Sequence, residues 1–250
     1  MFNVKLMTGL MVVCLCAMAT TDAKALNILG TGNGALVGND LTDPDQNGTS
    51  AGANYDATFF ASNEAGFGGG EFAFNVFSNT AGGGGNKWCC GATGGSNSGQ
   101  GNNQIVGAMN FSAIAGPIEL TRFTLSSSND TPNRDPQLWS IEGSNDTTNG
   151  LDGTWATIYA SQSADWTQRN QVISYSAADG DVFATTAGFT AFRMNTARTR
   201  GGGTSGAFHA LAEVEFFGQE ASSGGVPEPA TMSLLALAGA GLMARRRRKA

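Results

Sequence analysis

Between Phe59 and Phe217 the apolar residues fall in short stretches that alternate with polar ones and are broken by Gly, Asn, Ser and Asp. A period of two marks a strand with one buried face, and the interrupting residues are turn formers. The strands predicted on this basis are 72–77, 109–114, 118–125, 137–142, 155–160, 171–175, 189–195 and 208–217. Helical periodicity is almost absent between them, which predicts an all-β antiparallel sandwich rather than an α/β fold. The most constraining stretch is 133–146. Pro136 biases Asp135 towards extended backbone, Trp139 and Ile141 then point to one face, and Ser140 and Glu142 point to the other. Gly143-Ser144-Asn145-Asp146 stops the strand, and a Trp in mid-strand needs a facing layer to bury it.

Both ends break this pattern. Lys5, the apolar run 6–19 and the exit Ala23-Lys24-Ala25 have the form of a secretory signal peptide over residues 1–25, cut after Ala25. Cys14 and Cys16 leave with it. At the other end, Val226-Pro227-Glu228-Pro229 precedes an apolar run, 230–244, and the basic cluster 245–249. Fifteen residues make a helix of about 22 Å, short of the ~30 Å hydrocarbon core, a gap that edge residues and membrane thinning can close. The basic cluster would hold its end on the cytoplasmic side. The expected organisation is a β-sandwich domain over 26–220, a linker at 221–225 and a membrane-inserting signal over 226–250.

Charge changes the picture further. Setting aside Asp22, Glu228, Lys5, Lys24 and the five basic residues of the tail, the remainder keeps 18 acidic and 7 basic residues, a net charge of −11. This excludes a nucleic-acid partner, which needs a basic face, and suits an exported protein or one that gathers divalent cations. Glycine supplies 36 of 250 residues, in keeping with many turns.

Catalytic chemistry is not indicated, and the protein is expected not to be an enzyme. His209 is the one histidine and has no Ser or Cys motif beside it. The glycine runs lack the lysine of a phosphate loop, and Glu213 and Glu215 are a carboxylate pair with no facing partner legible in the sequence. Asp43-Pro44-Asp45-Gln46-Asn47-Gly48 has the front of a calcium loop, but Asn54 stands at the twelfth position, so a turn is expected. The adjacent Cys89 and Cys90 permit a vicinal disulfide, two buried thiols or bonds to other chains. Export favours oxidation, and the vicinal bond is the expectation; metal binding lacks further ligands.

Two resemblances carry more. The order Arg134-Asp135-Pro136, Trp139, Ile141, Gly143-Ser144-Asn145-Asp146 and Gly153-Thr154-Trp155 resembles the discoidin, or F5/8 type C, family of galactose-binding-like domains, most clearly over 71–218. The resemblance implies a jelly-roll sandwich whose loops at one end bind sugars, lipid headgroups or proteins. Exposed aromatic and guanidinium groups suit sugar rings and hydroxyls, which nominates Trp166, Arg169, Arg198, Arg200 and His209. It also implies a structural calcium ion, for which the corresponding residues are Asn75, Asn86, Lys87 (through its carbonyl) and Glu213; Asn75 in place of an aspartate removes one formal charge. The residues 26–70, which it does not clearly cover, are expected to add strands to the same domain. The tail closely resembles the PEP-CTERM sorting signal of Gram-negative bacteria, with Val226, Pro227, Glu228 and Pro229 as its motif. That implies passage through the inner membrane, an exosortase-type processing enzyme as partner, and release to the cell surface or extracellular matrix. The function expected is non-catalytic binding of carbohydrate or exopolysaccharide; the alternative is a matrix protein without a defined ligand.

Overall fold

Strands with one alternating face must close that face against another layer, and the chain does so with two sheets. The computed structural model describes residues 25–48, 53–63, 70–89, 103–163, 165–201 and 208–222. The predicted signal segment (Ala25 apart) and the sorting signal lie outside these residues. No helix among the described residues is long and apolar enough to cross a membrane. In chain order the strands are β1 (Asn27–Thr31), β2 (Thr58–Ala61), β3 (Trp88–Cys89), β4 (Gln104–Met109), β5 (Ile118–Ser127) and β6 (Pro136–Ser144). They continue with β7 (Ala156–Ser161), β8 (Gln171–Ser176), β9 (Gly188–Phe189), β10 (Ala191–Thr199) and β11 (Ala210–Glu220). One sheet has the order β1-β8-β5-β11-β3, with β9 also on β5; the other runs β2-β4-β10-β6-β7. Every pairing is antiparallel. Strands β1 and β2, from the region outside the clear resemblance, sit one in each sheet.

The core lies between the sheets. Phe123, Leu125, Ile173, Tyr175, Val214 and Phe216 come from the first, and Val106, Trp139, Ile141, Phe192 and Met194 from the second. Phe123 meets Trp139 edge-on at 6.1 Å, and Phe192 meets Phe216 at 5.8 Å. Each such side chain contributes about 1.5–3 kcal/mol by burial.

Two predicted strands are corrected. Ala73–Phe77 forms a 3-10 helix, because its buried apolar residues, Ala73, Val76 and Phe77, recur with a one-turn period that the alternating Phe72 and Phe74 disguise. The segment placed at 109–114 instead ends at Met109: Asn110 takes φ 56°, a left-handed conformation that breaks the ladder, and Phe111 reaches the core from the following loop. Asp43–Gly48 is a turn: Gln46 N donates to Asp43 O at 3.1 Å, and the Asp43 carboxylate accepts from the N–H groups of Asn47 and Gly48.

Outside the core, β11 carries Glu213 and Glu215 out of phase with Val214 and Phe216, yet both are fully buried. The segment from Val37 to Thr42 covers Glu215, and Asn79 and Thr80 lie on Glu213. Val37 N and Gly38 N donate to Glu215 at 3.1 and 2.6 Å, Thr124 Oγ1 donates to it at 2.5 Å, and Leu41 N donates to Phe216 O at 2.8 Å. Asp40, equally buried, accepts from Thr42 N and Oγ1 through Oδ1 and has no partner on Oδ2. None of these three carboxyls pairs with a Lys or Arg among the described residues. Burial, together with neighbouring Glu215 and Asp43, pushes Asp40 up to about 7, and burial beside Asp40 and Glu215 pushes Glu213 well above the carboxylate range.

A carboxyl raised in the folded state stabilises below its unfolded value, about 4, and that stability is lost as pH rises through the folded value. Melting temperature is therefore expected to fall from pH 4 to pH 8, with up to about 1.4 kcal/mol lost per pH unit for each group between its two values. Asp40→Asn should raise the midpoint at pH 8 and flatten the profile; an unchanged profile would show that Asp40 is ionised without penalty.

Candidate functional site

The turn from β5 to β6 crosses from one sheet to the other, so residues 128–135 straddle one end of the sandwich. Pro132 starts a 3-10 turn there that closes with Asp135 N donating to Pro132 O. Ion pairs radiate from this turn. Lys87 Nζ lies 2.8 Å from Asp130 Oδ2, 3.0 Å from Glu71 Oε1 and 2.9 Å from Asn129 Oδ1. Arg134 Nη1 reaches the same Asp130 oxygen at 3.0 Å, and its guanidinium stands 5.4 Å from the Phe208 ring. Arg169 grips Asp135 with two nitrogens at 2.6 and 2.5 Å and donates to Asp130 O at 3.1 Å. Desolvation raises the fully buried Asp135 carboxyl, opposed by the bonds and charge of Arg169 and by the charge of Arg200; on Asp130 the bonds and charges of Lys87 and Arg134 outweigh desolvation and hold it low.

Beyond this network lie Arg198 and Arg200 at the end of β10, both exposed. A bulge at Thr196/Arg198/Thr199 sets Arg198 opposite Leu138, and Arg200 N donates to Asp135 O at 2.9 Å. On the outer face of the β10–β6–β7 sheet, Leu138, Trp139, Ser140, Ala160, Asn195 and Ala197 line an open groove of about 210 Å³. Its polar members belong to a ladder in which Glu142 accepts from Ser140 Oγ at 2.7 Å, Asn195 Nδ2 at 3.1 Å and Arg193 Nε at 2.7 Å. Further along this ladder the Arg193 guanidinium stands 3.9 Å from the Trp155 ring. Gly150, at φ 81°, lets the preceding loop lie flat on Phe60, where a Cβ would come within 2.0 Å of the ring.

The expected ligand residues divide accordingly. Arg198 and Arg200 are surface groups. Arg169 is half-buried and engaged with Asp135. Trp166 and His209 are corrected: each is 1% exposed, so neither is a surface platform. Trp166 is in the main core, and His209 packs edge-on against Trp88 at 4.8 Å with Nε2 3.3 Å from Thr196 Oγ1. Burial pushes His209 down to about 3, so its ring is neutral at working pH. Sequence reasoning missed the roles of Glu71, Asp130 and Asp135, and of Arg134 against Phe208. The signal for them lies in Arg134-Asp135-Pro136, where two opposite charges adjoin the turn.

Of the residues expected to hold calcium, Asn75 and the Lys87 carbonyl come together, with Asn75 Nδ2 3.1 Å from Lys87 O. Asn86 Nδ2 donates to Gly82 O at 3.1 Å, and Glu213 accepts from Asn79 N and Thr80 N at 3.1 and 3.3 Å. Elsewhere Asp43, Asp45 and Asp56 bring carboxylate oxygens within 4.8 Å of one another, already bonded to N–H groups of their turn and, for Asp56, to Ser112. Cys89 is disulfide-bonded; Cys90, its expected partner, lies outside the described residues.

Residues 225–248 match the PEP-CTERM protein-sorting motif. No curated protein matches the chain. Among solved structures, a family 32 carbohydrate-binding module of Clostridium perfringens, CpGH89CBM32-5 in complex with GalNAc-β-1,3-galactose, is similar at 15% identity over 65% of this chain and 95% of that one, with a TM-score of 0.46. The CBM62 module of Clostridium thermocellum Xyl5A gives 14% identity over 66% and 95%, TM-score 0.44. The F5/8 type C domain of a Bacteroides fragilis protein gives 12% over 66% and 92%, TM-score 0.40. At these values the likenesses say nothing of a ligand.

Because Arg169 shields a buried carboxylate and Trp166 fills the core, their loss is expected to register as stability. Urea unfolding of Arg169→Ala should show a loss of about 3 kcal/mol, and of Trp166→Ala about 3–5 kcal/mol. A variant of either that unfolds like the parent would return that residue to the candidate ligand surface.

Proposed function

We infer that this is an exported, non-catalytic carbohydrate-binding protein, whose contact surface is the groove beside Arg198. The observation that carries this reading is the juxtaposition of an apolar floor, Leu138 and Ala197, with Ser140 and Asn195 and an exposed guanidinium at its edge. Sugar rings present C–H faces together with hydroxyls, and this surface offers counterparts to both. At about 210 Å³ the groove is below the usual ligand pocket of ~300–1,000 Å³, so one end or one unit of a chain is what it would take. The neutral, buried His209 and the engagement of Glu213 and Glu215 with N–H groups support a binding rather than a catalytic role. The sorting motif supports export with passage through the inner membrane, removal of the tail by an exosortase-type enzyme, and residence at the surface or in the matrix.

Pull-down of the purified protein on insoluble matrix polysaccharides and on a glycan array tests the reading. Saturable retention is expected, weakened at least about tenfold, or ~1.4 kcal/mol, in Leu138→Asp and in Arg198→Ala without loss of melting temperature. Retention untouched by both variants would move the site elsewhere, and no retention on any polysaccharide would favour a matrix protein without a ligand. For the tail, intact-mass measurement of the released protein should show residues 245–250 missing, and Glu228→Ala should leave the protein in the membrane fraction. A released form that keeps Arg245 to Ala250 would count against processing.

A further inference from the structure

Asn75, 4% exposed, directs its amide nitrogen at three main-chain carbonyls: Gly70 O at 2.5 Å, Gly85 O at 2.9 Å and Lys87 O at 3.1 Å. An amide carries two N–H hydrogens, so three carbonyls exceed what it can satisfy with straight bonds. Their convergence is imposed by the backbone, which brings the start of the loop, Gly70, against its end, Gly85 and Lys87. Converging carbonyl dipoles make a point of negative potential, an arrangement in which proteins commonly hold a hard cation with oxygen ligands. The donor set for calcium does not fit here. Glu213 is engaged with Asn79 N and Thr80 N, Asn86 Nδ2 donates to Gly82 O, and Asn75 presents the positive end of its amide dipole to the ring.

We propose that the Asn75 amide takes the place of a cation in this ring, so that the loop 70–88 closes without metal and a single change to aspartate would convert it into a calcium site. The nearby acidic turn has its own partners: the Asp43 carboxylate accepts from Asn47 N, Gly48 N and, at 3.0 Å, the Asn79 side chain of the same loop. A carboxylate at position 75 has the same shape but opposes three carbonyl oxygens with a full negative charge. It needs a cation between them, and calcium accepts six to eight oxygens of this kind.

The test is thermal melting of the purified full-length protein in excess EDTA and in millimolar calcium, for the parent, Asn75→Asp and Asn75→Ala. Asn75→Asp is expected to melt at least about 5 °C lower in EDTA and to regain most of that loss in calcium, a shift well beyond any shown by the parent. Asn75→Ala should melt lower in both and keep whatever calcium shift the parent has, since a shift arising at another site survives the loss of this side chain. If Asn75→Asp is unfolded in EDTA, folding on addition of calcium, followed by circular dichroism, supports the proposal; failure to fold in either condition overturns it. It is also overturned if Asn75→Asp and the parent respond equally to calcium, or if a calcium shift of the parent disappears in Asn75→Ala.

Discussion

Phe123 is the ring on which the two sheets close. It stacks on Tyr175 at 4.8 Å within its own sheet and meets Trp139 and Tyr159 of the opposite sheet at 6.1 and 5.4 Å. That spacing determines where the β5 to β6 turn stands, because its two ends belong to different sheets. Asp130 and Asp135 depend on the turn, and Lys87, Arg134 and Arg169 depend on those two carboxylates. The ionic end of the molecule is thus held by an aromatic contact one strand-length away. Packing at native density transmits such constraints, since a core ring cannot shift without displacing its neighbours.

Buried charge is handled in two different ways at two places. At the loop end, acidic groups are matched by guanidinium or ammonium, with Arg169 supplying a bidentate partner to Asp135. On the outer side of β11, Glu213 and Glu215 are matched by backbone N–H groups instead, from Asn79 and Thr80 for Glu213 and from Val37 and Gly38 for Glu215. An N–H partner satisfies a carboxyl in its neutral or its ionised form, whereas a cation holds it ionised. Lys87 and Arg134 accordingly hold Asp130 low, whereas Glu213, with N–H partners alone, is pushed well above the carboxylate range by burial. The covering segment is tied to the sheet through Glu215 and the Phe216 carbonyl, and it carries the buried Asp40, whose carboxyl burial pushes up to about 7.

How much of this was legible follows the same division between local pattern and tertiary contact. The sandwich was readable because Trp139/Ile141, Phe192/Met194 and Val214/Phe216 alternate at a period of two. Trp166 enters the core from a loop, where no periodicity marks it, and the covering of His209 by Trp88 joins residues far apart in sequence. Phe72 and Phe74 suggested a strand where the buried Ala73, Val76 and Phe77 set a turn. Asn75 was noticed for what it lacked relative to an aspartate. Its amide's three carbonyl partners come from a loop course that residue types alone do not encode.

The acidity of the chain narrows where a ligand can be contacted. With a net charge of −6 the molecule repels anions at long range, but screening cuts such fields off within about 8–10 Å at ordinary salt. Within that distance the local balance decides. Around the loop end stand Lys87, Arg134, Arg169, Arg198 and Arg200 against Glu71, Asp130 and Asp135, so the neighbourhood is cationic although the molecule is not. Lys87, Arg134 and Arg169 are drawn inward by the three carboxylates, while Arg198, exposed and opposite Leu138, stands at the edge of the groove. On the proposed reading, a charge at that position would orient a bound chain more than attract one, because the apolar floor and the hydroxyl and amide groups beside it act only on contact. Selectivity would then rest on shape and hydroxyl pattern within the groove, with Arg198 fixing the direction in which a polysaccharide lies across it.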